Sequence, residues 1–157
     1  MLRTLIIGGL STAALTITTA AFARQAQLGS ADEAKAMLLK AVAAVKADRD
    51  VALAMFNKGE GGFRDRDLYP FCFRIADGKY VANQALAVPA GTNTHTLKHP
   101  TGKVFGEELY AGAQKPEGQI TEVSYMFPKP GTTTPAVPKV SFVTRVGDLG
   151  CGVGYYK

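Results

Sequence analysis

The hydrophobic pattern of the chain changes its period once, near Leu68, and this change narrows the possible folds more than any other feature. Before Leu68, apolar residues recur every three or four positions, which predicts one long helix or two collinear helices over residues 31–58. After it, the dominant period is two, which is the period of strands. Strands are expected at about 68–76, 79–82, 119–127, 140–146 and 149–156, with a short helix at 104–113. The sequence therefore predicts an α+β domain.

Local signals support these boundaries. Ser30 and Glu33 have the spacing of a capping box at a helix start, and Gly59 is a typical helix C-cap. The pair at 77–78, Asp-Gly, favours a two-residue hairpin turn, and residues 128–138 are expected to form a longer hairpin connection. Every link between strands except the second can be a hairpin, so the sheet is expected to be largely antiparallel.

The first 23 residues have the pattern of a signal peptide. A short basic start is followed by an apolar stretch at 4–20 and by Ala-Phe-Ala at 21–23, which signal peptidase accepts. The alternative is a retained membrane anchor, for which the stretch is short. We therefore expect a mature single domain at 24–157, periplasmic or secreted, without a membrane span after cleavage.

Composition and motifs favour neither a nucleic-acid-binding protein nor an enzyme. The chain has 18 Lys and Arg against 13 Asp and Glu, and its basic residues form no stripe. His95 and His99 are four apart but stand in a loop-like segment without an evident third ligand, so we interpret them as exposed loop residues. The alternating glycines at 150–154 have the period of a strand with one bare face, not of a dinucleotide loop followed by a helix. No catalytic residue, metal site or cofactor is expected.

Five segments in this order resemble a single Cache domain, one of the short, PAS-like extracytoplasmic sensor domains of bacterial chemoreceptors and kinases. They are YPFCFRIADGK at 69–79, TGKVFGEEL at 101–109, EVSYMFPKPG at 122–131, VPKVSFVTRV at 137–146 and GVGYY at 152–156. The resemblance runs from about residue 34 to 156. It implies a five-stranded antiparallel sheet with a long N-terminal helix on one face and a small helix and loop region over a ligand pocket on the other. The family usually has His-Pro after the second strand, where this chain has Val88-Pro89.

The resemblance also implies a function and a set of site residues. It implies a sensory domain without catalysis that binds a small carboxylate or an amino-acid-like metabolite, with a membrane-bound receptor or kinase as partner in chemotaxis-related signal transduction. Many members continue into a transmembrane helix and a signalling domain, and we expect this chain to be a stand-alone member instead. The pocket residues expected on this basis are Tyr69, Phe71, Phe73, Tyr125, Phe127 and Lys139. The glycines of the last strand would make room beside the pocket, and a terminal tyrosine could close it. The alternatives are a protein-interaction module whose vestigial pocket is filled by its own side chains, and a secreted enzyme.

Two of these expectations have alternatives of their own. Lys139, together with Tyr125, would hold an anionic ligand at the rim of the pocket, but a lysine at the start of a strand is commonly solvated and protects a sheet edge. The five aromatic residues could equally be ordinary core residues.

Because the first and last strands are neighbours in the family's sheet, the resemblance also implies a disulfide between Cys72 and Cys151, in keeping with an exported chain.

Overall fold

The computed structural model describes residues 28–157, so the proposed signal peptide at 1–23 lies outside the described residues. The regular elements are α1 (Ala31–Ala47), α2 (Arg49–Lys58), β1 (Pro70–Arg74), β2 (Tyr80–Ala82), a 3-10 turn (Thr94–Thr96), α3 (Gly106–Ala113), β3 (Thr121–Pro128), β4 (Ala136–Val146) and β5 (Leu149–Tyr156). None of the helices within residues 28–157 has the length and apolar character needed to cross a membrane. The α+β class is as predicted.

The helical segment is two helices rather than one. Ser30 caps α1 by accepting a hydrogen bond from the Glu33 N–H, and the Glu33 carboxylate accepts one from the Ser30 N–H, as expected. Asp48 has an extended backbone and its side chain accepts a hydrogen bond from the Val51 N–H, so it ends α1 and caps α2. Gly59 ends α2 in the left-handed conformation, with φ of 70°.

All strand pairs are antiparallel, and the strand order is β2-β1-β5-β4-β3. The first and last strands are neighbours at the centre of the sheet, as the resemblance implies. The expected start of the fourth strand was wrong, because β4 begins at Ala136 and already pairs Pro138 with Met126 of β3. The proline is tolerated there because β5 ends opposite Lys139, so Pro138 lies beyond the part of β4 that is paired on both sides.

The two faces of the sheet bury different side chains. The face under α1 and α2 is apolar and includes Cys72 and Cys151, which stand opposite each other in β1 and β5 and form the predicted disulfide. The other face is aromatic and is covered by α3 and by the largely irregular residues 83–105. Alternation along each strand produces the division, since neighbouring residues point to opposite faces.

Candidate functional site

Lys139 lies on the aromatic face, opposite the last residue of β5, and is only 2% exposed. Its Nζ stands over three rings, 4.8 Å from the centroids of Tyr69 and Tyr156 and 4.9 Å from that of Phe127. It also donates a hydrogen bond of 3.3 Å to the Tyr69 hydroxyl. We call Lys139 and these three rings the lysine cage. The solvated strand-end lysine considered from the sequence is wrong, and the side chain lies inside the domain rather than over a rim.

Burial dominates the electrostatics of the cage. It lowers the pKa of Lys139 to about 7, against a smaller opposing influence of the Asp67 carboxylate. The three ring faces also favour the ammonium form, because their quadrupoles attract a cation. Burial raises the pKa of Tyr69 well above its ordinary value, so its hydroxyl stays protonated near neutral pH. The cage thus holds an amine that changes charge near neutral pH.

Tyr125 lies beside the cage with its hydroxyl already engaged. Its hydroxyl and that of Ser141 are 2.7 Å apart and hydrogen-bonded, and its ring stacks on Phe105 with centroids 4.3 Å apart. Burial raises the pKa of Tyr125, so this hydroxyl is also neutral. A ligand that used the Tyr125 hydroxyl would therefore share it with Ser141.

A cavity of about 10 Å³ adjoins Lys139. Of the residues expected at the pocket, four aromatic residues line it together with Lys139: Tyr69, Phe71, Tyr125 and Phe127. Phe73 does not line it; its ring packs against Tyr80 and Tyr110. On this measure a single water molecule needs roughly 10–15 Å³, so the cavity has room for about one water and for no larger ligand.

The glycines of β5 explain how the face is filled. A Cβ at Gly152 would lie 2.4 Å from the Phe71 ring, and one at Gly154 would lie 2.4 Å from Cε of Lys139. At Gly150 the nearest atoms would be the Cβ of Ala113 and the ring of Phe73. The bare strand face therefore seats aromatic rings and the lysine stem against the backbone, and the room expected there for a ligand is occupied.

An open groove of about 470 Å³ lies outside the filled cavity. It runs between the loop at 87–100 and the residues around the β3–β4 connection. The groove and the cavity share three wall residues, Leu97, Phe105 and Phe127. The volume is within the range of small-molecule sites. The groove therefore lies where a ligand could approach Lys139 if those three side chains moved.

The two histidines are half-buried, so their assignment as exposed loop residues was wrong. Nδ1 of His99 accepts a hydrogen bond from the Met126 N–H, and its Nε2 is buried without a hydrogen-bond partner among residues 28–157. His95 contacts Glu107 through Nδ1 at 2.8 Å and packs on the Tyr110 ring. Within the described part of the chain, no group of three or more potential ligands could hold a metal ion.

Sequence reasoning missed two residues of the site. Asp67 is 4% exposed and its charge opposes the lowering of the Lys139 pKa, but in the sequence it is only one of two nearby aspartates. Phe105, which stacks on Tyr125, falls within the helix expected at 104–113 but lies just before α3. Tyr156 was expected as a residue that could close the pocket, and its ring does lie against Lys139.

Comparison with solved structures identifies the fold. The chain is similar to a methyl-accepting chemotaxis protein from Vibrio parahaemolyticus RIMD 2210633, with a TM-score of 0.60, 22% identity, and coverage of 80% of this chain and 86% of that one. It is also similar to a periplasmic sensor domain of a chemotaxis protein, with a TM-score of 0.53, 22% identity and coverage of 80% and 88%. A search of protein-family models gives no match, and neither does a search of curated proteins.

A third solved structure carries a description of its ligand. It is described as the structural basis for carboxylic acid recognition by a Cache chemosensory domain. It matches with a TM-score of 0.53 and 23% identity, over 76% of this chain and 83% of that one. The three structures share the five-stranded antiparallel sheet and helices of this chain only at low sequence identity, so the likeness concerns the fold. Residues 28–157 therefore adopt the fold of a single Cache sensor domain.

Proposed function

We propose that this protein is an exported, non-catalytic ligand-sensing domain that binds a small carboxylate at Lys139. The observation that carries the proposal is a fully buried ammonium group that donates one hydrogen bond, to Tyr69, among the described residues. An ammonium has three donors, and a desolvated cation is costly unless an anion or acceptor compensates it. A carboxylate would supply both charge and acceptors, and the rings of the cage would contact a short alkyl chain.

The solved Cache domain that recognises carboxylic acids supports the same class of ligand. Export is supported by the signal-peptide pattern and by the disulfide, which is typical of an oxidising compartment. We extend the proposal to a membrane-bound receptor or kinase as the partner that reads the domain, since the similar structures come from chemotaxis proteins.

Binding requires the aromatic face to open. The cavity of about 10 Å³ cannot hold even acetate, so Leu97, Phe105 and Phe127 must move aside and join it to the groove. The cover at 83–105 has a single 3-10 turn as regular structure, which makes it the segment least costly to displace. The ligand affinity then includes the free-energy cost of opening.

The filled cavity also favours a second candidate. A protein-interaction module with a vestigial pocket would have side chains where a ligand once bound. Here the ammonium group of Lys139 itself lies between the three rings of the lysine cage. The two candidates differ in one respect, which is whether the covering side chains of Leu97, Phe105 and Phe127 can move aside and admit a small anion beside Lys139.

A thermal-shift series tests the proposal. Purified protein is heated at pH 6 with sodium acetate, propionate or butyrate, with sodium chloride at equal ionic strength as the reference. We expect a rise in Tm for at least one carboxylate, because a ligand that binds only the folded state stabilises it. At pH 8.5 the rise should be smaller, since Lys139, with a pKa of about 7, is then mostly neutral.

Two variants locate the site. Lys139→Met should abolish the carboxylate-dependent rise in Tm, whereas Lys98→Met, which removes an exposed lysine at the groove, should keep it. No rise with any carboxylate would contradict the sensing proposal and favour the interaction module. An equal rise in Lys139→Met would place binding elsewhere.

A further inference from the structure

The ammonium group of Lys139 has more donors than its surroundings have acceptors. It has three N–H donors, but among residues 28–157 it makes one hydrogen bond, to the Tyr69 hydroxyl at 3.3 Å. None of the ion pairs within this part of the chain includes Lys139. Nζ otherwise stands over the ring faces of Tyr69, Tyr156 and Phe127, with centroids 4.8–4.9 Å away. The lysine cage therefore suits a cationic nitrogen that has a single N–H.

A protonated Schiff base is a nitrogen of this kind. It is bonded to the lysine Cε, to one carbon of a carbonyl compound and to one hydrogen, and it keeps the positive charge. The single N–H would donate to the Tyr69 hydroxyl, and the three rings would attract the cation as aromatic cages attract alkylated ammonium groups. A carbamate or an amide on Nζ has no positive charge and would lose this attraction. The Schiff base is therefore the modification that fits the cage best.

Burial also makes the Lys139 amine a nucleophile at neutral pH. Lys139 is 2% exposed, and a lysine desolvated among apolar groups is activated for reaction with carbonyl compounds. Burial lowers the pKa of Lys139 to about 7, so about half of the amine is neutral at pH 7. An ordinary exposed lysine has a pKa near 10.4 and is neutral in roughly one molecule in 2,500 at this pH. Lys139 is thus expected to react in preference to exposed lysines.

We propose that Lys139 is a covalent site that takes up small aldehydes as a reversible Schiff base. The lone pair of the deprotonated amine forms a C–N bond with the carbonyl carbon, and the amine proton moves to the carbonyl oxygen to give a carbinolamine. The C–O bond then breaks, and the hydroxyl leaves as water with the proton that the ammonium first released. Ammonium and aldehyde are converted to iminium and water, so no oxidant, reductant or net proton is required.

The size of the lysine cage limits which aldehydes fit. The adjoining cavity of about 10 Å³ has room for the one water that the reaction releases. The aldehyde enters when the covering side chains move toward the groove, as for any ligand of Lys139, so short aliphatic aldehydes require the least displacement. Because these aldehydes have no carboxylate, the proposal goes beyond the proposed function and does not depend on its ligand.

Reductive trapping in the whole purified protein tests the proposal. The protein is incubated briefly with acetaldehyde at pH 7 and transferred into urea with sodium borohydride, which reduces each Schiff base to an ethylamine and removes free aldehyde. Peptide mapping by mass spectrometry then measures the ethylated fraction of each lysine. We expect Lys139 to be ethylated about tenfold more than any other lysine, since its neutral fraction is roughly a thousandfold larger and opening of the face consumes part of this advantage.

Two controls locate the reaction. Acetaldehyde added only together with the urea measures labelling after unfolding, which should be negligible. Lys98→Met should keep the preferential labelling of Lys139, whereas Lys139→Met should be ethylated only at the low level of exposed lysines. Ethylation of Lys139 no greater than that of Lys98, or equally strong when the aldehyde arrives with the urea, would overturn the proposal.

The size of the aldehyde tests whether the reaction takes place inside the cage. With pivalaldehyde in place of acetaldehyde, the ratio of labelling at Lys139 to labelling at the exposed Lys98 should fall several-fold, because the bulkier alkyl group requires more displacement of the rings. An unchanged ratio would mean that Lys139 reacts outside the cage and would also overturn the proposal.

The trapping experiment and the thermal-shift series fail independently. If a carboxylate raises Tm through Lys139 but acetaldehyde gives no preferential adduct there, the Schiff-base site is wrong and the proposed function stands. If Lys139 is ethylated preferentially and no carboxylate raises Tm, the proposed function is wrong and the Schiff-base site stands.

Discussion

The two faces of the central sheet are built from the same strands but are opposite in chemistry. We call the face under α1 and α2 the helix face, and the face under α3 and residues 83–105 the loop face. Along β5, Cys151 and Val153 lie on the helix face, whereas the alternating glycines lie on the loop face. The helix face has an apolar cluster closed by a disulfide. The loop face buries an ammonium group and a hydrogen-bonded pair of hydroxyls, Tyr125 and Ser141.

The difference indicates which face has stability as its main role. An apolar, cross-linked face contributes to folding without unpaired polar groups, so it can remain closed. A buried lysine lowers stability unless an anion compensates it, and proteins keep such groups mainly where they serve binding or catalysis. We therefore expect substitutions on the helix face to change stability alone, and substitution of Lys139 on the loop face to change stability and binding in opposite directions.

Removing the disulfide should have the largest effect. The bond closes a loop with a sequence separation of 79 residues, and opening a loop of this length costs about 4 kcal/mol in the chain-entropy model. The double variant Cys72→Ala/Cys151→Ala should lower the free energy of unfolding, measured with urea, by that amount. The carboxylate-dependent rise in Tm should persist wherever the variant is folded. A loss below about 1 kcal/mol, or a loss of binding in folded protein, would contradict the division between the faces.

Lys139→Met should stabilise the protein at low pH. The pKa of Lys139 is about 7 in the folded protein and near 10.4 when unfolded, so between these values the unfolded state binds more protons and wild-type stability rises with pH. The cost of the buried charge is complete below pH 7. After the loss of cation–π contacts we expect a net gain of about 2 kcal/mol at pH 6.

The same variant should also flatten the pH dependence of unfolding. Urea denaturation at pH 6 and pH 9 measures it, with Lys98→Met as the matched control. If Lys139→Met were less stable than the wild type at pH 6, the three rings of the lysine cage and Asp67 would stabilise the ammonium group more than burial destabilises it.

Tyr125→Phe should have the smallest effect, a loss of about 1 kcal/mol, because it leaves the buried Ser141 hydroxyl without its 2.7 Å partner. Adding Ser141→Ala should cost little more, since the two hydroxyls then disappear together. Chemical denaturation of the two single variants and the double variant measures the coupling. Strictly additive losses would show that the hydroxyl pair is not a unit.

The sequence predicted the fold well because the signals are local. Period-two strands, the Ser30 cap and the glycine at 59 each depend on neighbouring residues, and β5 has the expected bounds of 149–156. The break at Asp48 stayed open, because an aspartate can continue or end a helix. The site was less predictable, since burial of Lys139 depends on rings from three other segments. Such long-range contacts produce no periodic pattern in the amino-acid sequence.

The most direct test of the account is a crystal structure of the protein grown at pH 6 with the carboxylate that raises Tm most. We predict that one carboxylate oxygen lies within hydrogen-bond distance of Nζ of Lys139, and that Phe105 or Phe127 has moved so that the cavity of about 10 Å³ joins the groove. A carboxylate bound only in the outer groove, with the lysine cage closed and unchanged, would contradict the claim that the loop face is a binding face centred on Lys139.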